Sequence, residues 1–241
     1  MQVIYQPAGR AKEYSPWAAN LYRGCGHHCV YCYAPKALQM ERAEFDVPKP
    51  RAGIIKKLLK DCIELRKHDL HYKVLLCFSC DPYQQINDQY QLTRQAIEIL
   101  HFYGQNVIIL TKGGYRASND IPLLIPGDEF AVTLTCLHLQ DSLAWEPKAA
   151  PPAERIFTLK EAHERGIYTW ISLEPVLYPQ DSLNIIELTH TFVDKYKLGT
   201  LNYHPRAATI NWKTYGTDAV KLLESLKKDY YIKDDLKEKL K

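Results

Sequence analysis

The chain has 241 residues, 46% hydrophobic and 24% charged, with a formal net charge of +3. This is the composition of an ordinary soluble protein of one large unit. No apolar run approaches the roughly 18 residues that span a bilayer, and residues 1–9 lack the basic-then-apolar pattern of a signal peptide, so a cytoplasmic chain with no membrane partner is expected. The net charge is too small to indicate a nucleic-acid partner by itself. Its distribution is uneven, with ten Lys and Arg against four acids in residues 1–60. That asymmetry fits a solvated basic surface or a contact with a phosphate-bearing substrate.

Short apolar runs alternate with helical patterns along the chain. Ala18–Tyr22 reads as a first strand, running into Arg23-Gly24 and a cysteine cluster. Ile54–Arg66 carries apolar residues at helical spacing. Lys73–Ser79 is a second strand, stopped by Cys80-Asp81-Pro82. Leu92–Phe102 is helical, and Asn106–Leu110 is a β-branched strand closed by Lys112-Gly113-Gly114. Phe130–Thr135 is a fourth strand and Ala153–Glu164 a helix ending at Arg165-Gly166. Ile167–Leu173 is a fifth strand, Leu183–Lys195 a helix, Leu198–Asn202 a sixth strand and Thr217–Leu226 the last full helix. The expected organisation is a single domain over 1–241, with a βα region at about 18–226 and a charged tail, 227–241, that is a short helix or a frayed end.

Six strands separated by helices predict an α/β fold of parallel βαβ units with right-handed crossovers. An open doubly wound sheet and a barrel left incomplete at six units both fit. In either, ligands gather at the C-terminal ends of the strands.

Three of the seven cysteines fall within eight residues, in Cys25-Gly-His-His-Cys29-Val-Tyr-Cys32. An odd cysteine count without a leader pattern is not a secreted disulfide framework. The C-x3-C-x2-C spacing lets three thiolates each take a corner of a four-iron cube and leaves one iron open. A structural zinc site with His27 or His28 as fourth ligand is the alternative, although zinc sites usually add a distant second C-x2-C pair and none is read as one. The histidines can also line a cluster, or donate hydrogen bonds to sulfur and tune its potential.

The segment from Glu13 to Pro35, EYSPWAANLYRGCGHHCVYCYAP, resembles the cluster loop and leading strand of radical S-adenosylmethionine enzymes. More narrowly it is similar to the spore photoproduct lyase-like branch, whose namesake repairs DNA. Tyr31 stands where the superfamily carries an aromatic residue before its third cysteine. The resemblance, which extends over about residues 10–230, implies a partial (β/α)6 barrel. It also implies a [4Fe-4S] cluster on Cys25, Cys29 and Cys32, and S-adenosyl-L-methionine bound at the open iron. The chemistry implied is reductive cleavage of the sulfonium to a 5′-deoxyadenosyl radical that abstracts a substrate hydrogen. A monomer served by an electron donor such as flavodoxin or ferredoxin is expected.

Candidate cofactor contacts lie at the strand ends. Many radical S-adenosylmethionine enzymes carry Gly-Gly-Glu after the second strand. This chain has Ser79-Cys80-Asp81 there, where Ser79 or Asp81 can accept a hydrogen bond from the cofactor ammonium, or Asp81-Pro82 is simply a turn. After strand three, Thr111 and Lys112 are placed to meet a carboxylate; the spore photoproduct lyase-like branch has a similarly placed lysine. Thr133 and Thr135 share a face of strand four. Glu146 and Arg155 follow, the arginine suited to a carboxylate or phosphate, or to pairing with a nearby acid. Glu174 after strand five is expected near the cofactor ribose, and Asn202-Tyr203-His204 forms a polar group on the same rim. Cys62 reads as core, and Cys77 and Cys136 lie in or beside strands. Cys80 is the candidate hydrogen-atom donor that the resemblance implies. No second cysteine cluster is read, so no auxiliary iron–sulfur domain is expected.

Three functions remain open: a radical enzyme acting on a nucleic-acid base in DNA or a nucleotide, a radical enzyme acting on a small molecule or peptide, and a non-catalytic metal-binding nucleic-acid module. Seventeen tyrosines could supply base-stacking surfaces for the first.

Overall fold

The computed structural model describes residues 3–241, apart from the side chain of Arg10; Met1, Gln2 and that side chain, which belong to the N-terminal readings above, lie outside the described residues. After a 3-10 turn at Gly9–Glu13 come strands β1 (Trp17–Ala19) and β2 (Tyr22–Arg23), helices α1 (Ala34–Ala37) and α2 (Arg42–Phe45), and strand β3 (Lys49–Pro50). The βα alternation then begins: α3 (Ile54–Lys67), β4 (Lys73–Leu76), α4 (Ile86–Tyr90), α5 (Leu92–Phe102), β5 (Asn106–Thr111) and β6 (Glu129–Thr133). It continues through α6 (Leu139–Trp145), α7 (Pro152–Glu164), β7 (Tyr168–Leu173), α8 (Pro179–Thr189) and β8 (Lys195–Leu198). Helix α9 (Trp212–Ser225), β9 (Asp229–Ile232) and α10 (Asp234–Leu240) end the chain. No helix of the described residues is long and apolar enough to cross a membrane.

Seven strands pair in the order β1-β4-β5-β6-β7-β8-β9, every pair parallel, and β2 and β3 form a separate antiparallel ladder. This is the mostly parallel partial-barrel architecture expected, with one strand more than the sequence indicates. Three boundaries are corrected. The first strand divides at Asn20-Leu21, so that its second half pairs with β3. The sixth strand is Lys195–Leu198 instead of Leu198–Asn202, and its preceding helix ends at Thr189. The supposed tail contains both a strand and a helix.

The central strands are nearly continuous apolar runs because both of their faces are covered. Val74, Leu76, Val107, Ile109, Phe130, Val132, Ile171 and Leu173 belong to the large core, with Leu58, Leu65, Ala96, Leu100, Leu159 and Ile185 from α3, α5, α7 and α8. Adjacent residues face the other way, as strand geometry requires. Ala18, Leu75, Ile108, Ala131 and Trp170 form a second cluster, joined by Tyr14, Phe78 and Leu110. Phe78 joins it beyond Cys77, whose φ of +66° breaks the regular course of the chain after β4.

Trp170 is fully buried, and its indole N–H donates to Glu129 at 2.9 Å. The Lys197 ammonium stands 4.4 Å from its ring and donates to the carbonyls of Glu13 and Tyr14. Burial lowers the Lys197 pKa to about 8. Truncating the indole removes this packing and leaves a cavity, so Trp170→Ala is expected to lose about 3–5 kcal/mol in urea denaturation, whereas truncating Phe102, 71% exposed, is expected to change stability by no more than about 0.5 kcal/mol.

Candidate cluster and cofactor site

The cysteine loop leaves β2 through Gly24, whose φ is +84°. A side chain there would be strained, and its Cβ would collide with the Phe45 carbonyl, which accepts from Cys25 N–H at 2.9 Å. Gln84, fully buried, clamps the next residues: its Oε1 accepts from Gly26 N–H at 2.8 Å and its Nε2 donates to the Gly24 carbonyl at 3.3 Å. Arg42 reaches the Cys29 carbonyl at 3.0 Å, and Val30 N–H donates to the Trp145 carbonyl at 2.8 Å. The loop is thus fixed by contacts from the β4–α4 connection, α2 and α6.

Asp81 joins this loop to the ends of two strands. Its Oδ1 accepts from Tyr83 N–H at 2.8 Å and the Thr111 hydroxyl at 2.6 Å; its Oδ2 accepts from Lys112 N–H at 2.7 Å and lies 3.2 Å from His27 Nε2. Burial opposes the charge, but His27, Thr111 and the Lys112 amide together hold the carboxyl well below the usual carboxylate range. The groups expected to meet the cofactor, Asp81 and Thr111, are therefore engaged with each other, and Thr111 also accepts from Gly113 N–H at 2.8 Å.

All seven cysteines are free. Burial raises the thiol pKa values of Cys25, Cys29 and Cys32, that of Cys29 to about 12, with Lys112 drawing it down and Glu146 pushing it up. Both ring nitrogens of His27 face partners, Nδ1 the Lys148 carbonyl at 3.2 Å and Nε2 Asp81. His28 Nε2 faces the Asp46 carbonyl at 3.1 Å. Neither histidine is placed as a fourth ligand to the three thiols. No three His, Cys, Asp or Glu side chains of the described residues converge on the position of one metal ion. Corners of a four-iron cube hold their thiolates farther apart than one ion does, and three thiols on one loop fit that donor set.

Behind Cys29 lies a buried charged group. Glu146, 1% exposed, pairs with Arg155 Nη2 at 2.6 Å, accepts from the Tyr31 phenol and stands 4.0 Å from Lys112 Nζ. Arg155 spends its other donors on the carbonyls of Ala150 at 2.8 Å and Thr133 at 3.0 Å. The Arg155 side chain thus meets a nearby acid. Burial opposes the charge on Lys112, but Cys29 and Glu146 raise its pKa above the ordinary lysine value. Its ammonium lies 5.8 Å from the Tyr31 ring centre.

The remaining candidates divide. The Ser79 hydroxyl is buried just past β4 and has no hydrogen-bond partner among the described residues, which fits a place reserved for a ligand. Thr135 Oγ1 faces Cys136 Sγ at 3.6 Å. Glu174 Oε2 accepts from the Tyr14 phenol and from Lys233, and Gly199 packs so closely on the Glu174 side chain that a Cβ there would clash. Asn202 is engaged by the C-terminal helix. It donates to Asp235 at 2.7 Å in a cleft of about 390 Å³ beside α9 and α10. Cys80 Sγ contacts the Tyr22 carbonyl at 3.5 Å and neighbours Cys77, while Phe78 joins the second cluster. The sequence reading passes over the Cys77-x-x-Cys80 spacing, and it misses Gln84, Tyr14 and Lys233. A polar run after a strand, Gln84-Gln85, was the available signal for the first; nothing local marks the other two.

No protein-family model matches the chain. A protein of Methanocaldococcus jannaschii is 27% identical over 190 residues, covering 77% of this chain and 70% of its own; its name assigns no activity. A spore photoproduct lyase variant with bound S-adenosylmethionine and dinucleoside spore photoproduct superposes with a TM-score of 0.72 at 11% identity, over 95% of this chain and 79% of that one. Streptococcus suis SuiB bound to its precursor peptide SuiA matches at a TM-score of 0.66 and 10% identity, over 89% of this chain and 48% of that one. The chain has the radical S-adenosylmethionine fold in its spore photoproduct lyase-like form.

Removing one member of a buried ion pair strands the other's charge. Arg155→Met is expected to cost about 3–5 kcal/mol in anaerobic urea denaturation. Combining it with Glu146→Gln is expected to restore much of that loss, because the stranded carboxylate is then gone.

Proposed function

We propose that the chain is a radical S-adenosylmethionine enzyme whose Cys25, Cys29 and Cys32 hold a [4Fe-4S] cluster. The observation that carries this is the donor set: three free thiols on one loop held by Gln84 and Arg42, with His27 engaged at both ring nitrogens. The partial-barrel fold supports it. Bound there, the cluster and S-adenosylmethionine would supply one-electron chemistry at the sulfonium and hydrogen-atom abstraction from substrate.

The chain's own residues bind, orient and exclude water. Lys112 places a charged ammonium near Cys29 and is the candidate partner for the cofactor carboxylate. The Ser79 hydroxyl can accept from its ammonium. The Tyr31 ring and its phenol, fixed by Glu146, form a wall beside the loop. Thr133 contributes a strand-end position on β6. Glu174, fixed through Oε2 by Lys233 and Tyr14, keeps Oε1 for a ribose hydroxyl. Phe78, Leu110 and Trp170 form a dry floor that protects a reactive carbon centre from solvent. Cys80, turned to Tyr22, is left out of the hydrogen-atom route, and Asn202 out of the cofactor contacts.

For the substrate we favour a nucleic-acid base. The spore photoproduct lyase neighbour binds a dinucleoside photoproduct, and residues 1–60 are biased toward positive charge. SuiB, which shares the fold, binds a peptide, and a peptide is the second reading. Electrons come from a flavodoxin- or ferredoxin-type donor.

The test is anaerobic reconstitution with iron and sulfide, then dithionite and S-adenosylmethionine, with 5′-deoxyadenosine measured in the presence and absence of oligonucleotide. The wild type is expected to form it, Cys29→Ala to form none, and Lys112→Met to form it at least about tenfold more slowly, the loss of one charge-assisted contact. Equal product from Cys29→Ala would overturn the assignment.

A further inference from the structure

A second cleft, also about 390 Å³, opens on the β2–β3 ladder that leads into the cysteine loop. Arg23, Lys49, Arg51 and Lys57 line it, with Val3 and Ile54 among its apolar contacts, and among the described residues no acid belongs to its wall. Its charges are held together by the backbone. Arg23 and Lys49 are directly opposed in the β2–β3 ladder, and both are exposed. Like charges facing each other across a ladder destabilise it. Arg51 follows just past β3 and is anchored through Nε to the Tyr22 carbonyl at 3.1 Å. Lys57 folds back toward Gly53, and the first turn of α3 contains no acidic residue to meet the helix dipole.

Compensation within the chain is slight. Glu44 reaches Arg23 at 3.1 Å, but that pair is more than half exposed and therefore weak. Among the described residues no carboxylate pairs with Lys49, Arg51 or Lys57. Four cations crowded around one open cleft are stabilised by an anion. Its open form suits a polymer backbone that passes along the surface. Arg forks meet phosphate oxygens bidentately, and lysines add point charges. Arg23 is only two residues from Cys25, at most about 7 Å of chain.

We propose that this cleft is a backbone-phosphate site for a nucleic-acid strand, which places a neighbouring nucleotide at the cluster loop. It rests on the nucleic-acid reading of the substrate and adds to it the place where the strand is held. Sequence-independent affinity then comes from phosphates that displace counterions.

The experiment is fluorescence anisotropy of the full-length chain with a labelled single-stranded DNA 12-mer, titrated with salt, with inorganic phosphate and an acidic peptide as competitors. Lys49→Ala/Lys57→Ala removes two cations without touching the cysteine loop. It is expected to weaken binding at least about tenfold at low salt and to flatten the slope of log affinity against log salt by about 1.4, the value for two single-strand phosphate contacts. Lys213→Ala/Lys221→Ala on α9 serves as the control and is expected to leave binding unchanged. DNA binding with an unaltered slope in the cleft variant would overturn the cleft while sparing the nucleic-acid reading. No binding of the 12-mer by wild type, or displacement by acidic peptide but not by phosphate, would overturn both. Circular dichroism of the double variant, expected to match wild type, separates lost contacts from lost folding.

Discussion

The buried carboxylate of Asp81 is the constraint on which the site depends. Three hydrogen bonds meet it, from Tyr83 just beyond it and from Thr111 and Lys112 at the end of β5, and His27 Nε2 of the cysteine loop lies 3.2 Å away. A carboxylate in that position is costly unless each oxygen is satisfied. Here each is, so the charge persists and fastens together three segments distant in sequence. The Gln84 amide does the same work on the first half of the loop. These polar fasteners, and not an apolar core, set where the three thiols stand.

Charges around the site come in compensated groups. Glu146 takes Arg155, Lys112 and Tyr31; Glu174 takes Lys233 and Tyr14. Each acid is offset by a cation from a different element, so the strand ends are drawn together as the pairs form. Beside Cys29 two cations, Lys112 and Arg155, stand against one carboxylate and offset part of the burial that raises its thiol pKa. The basic ladder of β2 and β3 is the exception, since its cations have little internal compensation. A compensated interior and an uncompensated outer cleft serve different purposes, the first fixing geometry and the second leaving charge for a ligand.

Where apolar periodicity is clean, the sequence is enough. Leu92–Phe102 is the helix its pattern predicts, and β5, β6 and β7 fall within two residues of expectation, while β4 ends three residues early. Periodicity fails where a strand carries an inward charge. Strand β8 is Lys195-Tyr196-Lys197-Leu198, and Lys197 lies against Trp170 and Tyr14 through cation–π contacts and carbonyl acceptors, which no apolar pattern reveals. Strand β9 sits in a charged segment, with Tyr230-Tyr231-Ile232 as its only local signal. The cysteine loop was legible because its chemistry is local. The partners of Asp81 and Glu174 were not, because His27, Thr111 and Lys233 converge only in the folded chain.

The central claim is that three cysteines hold a cluster with one iron left open. Electron paramagnetic resonance of the reconstituted, dithionite-reduced chain, with metal analysis of the same sample, tests it most directly. The account predicts about four irons per chain and a reduced-cluster signal that changes when S-adenosylmethionine is added. Tightly held zinc in place of iron, or a cluster signal that S-adenosylmethionine leaves untouched, would contradict it.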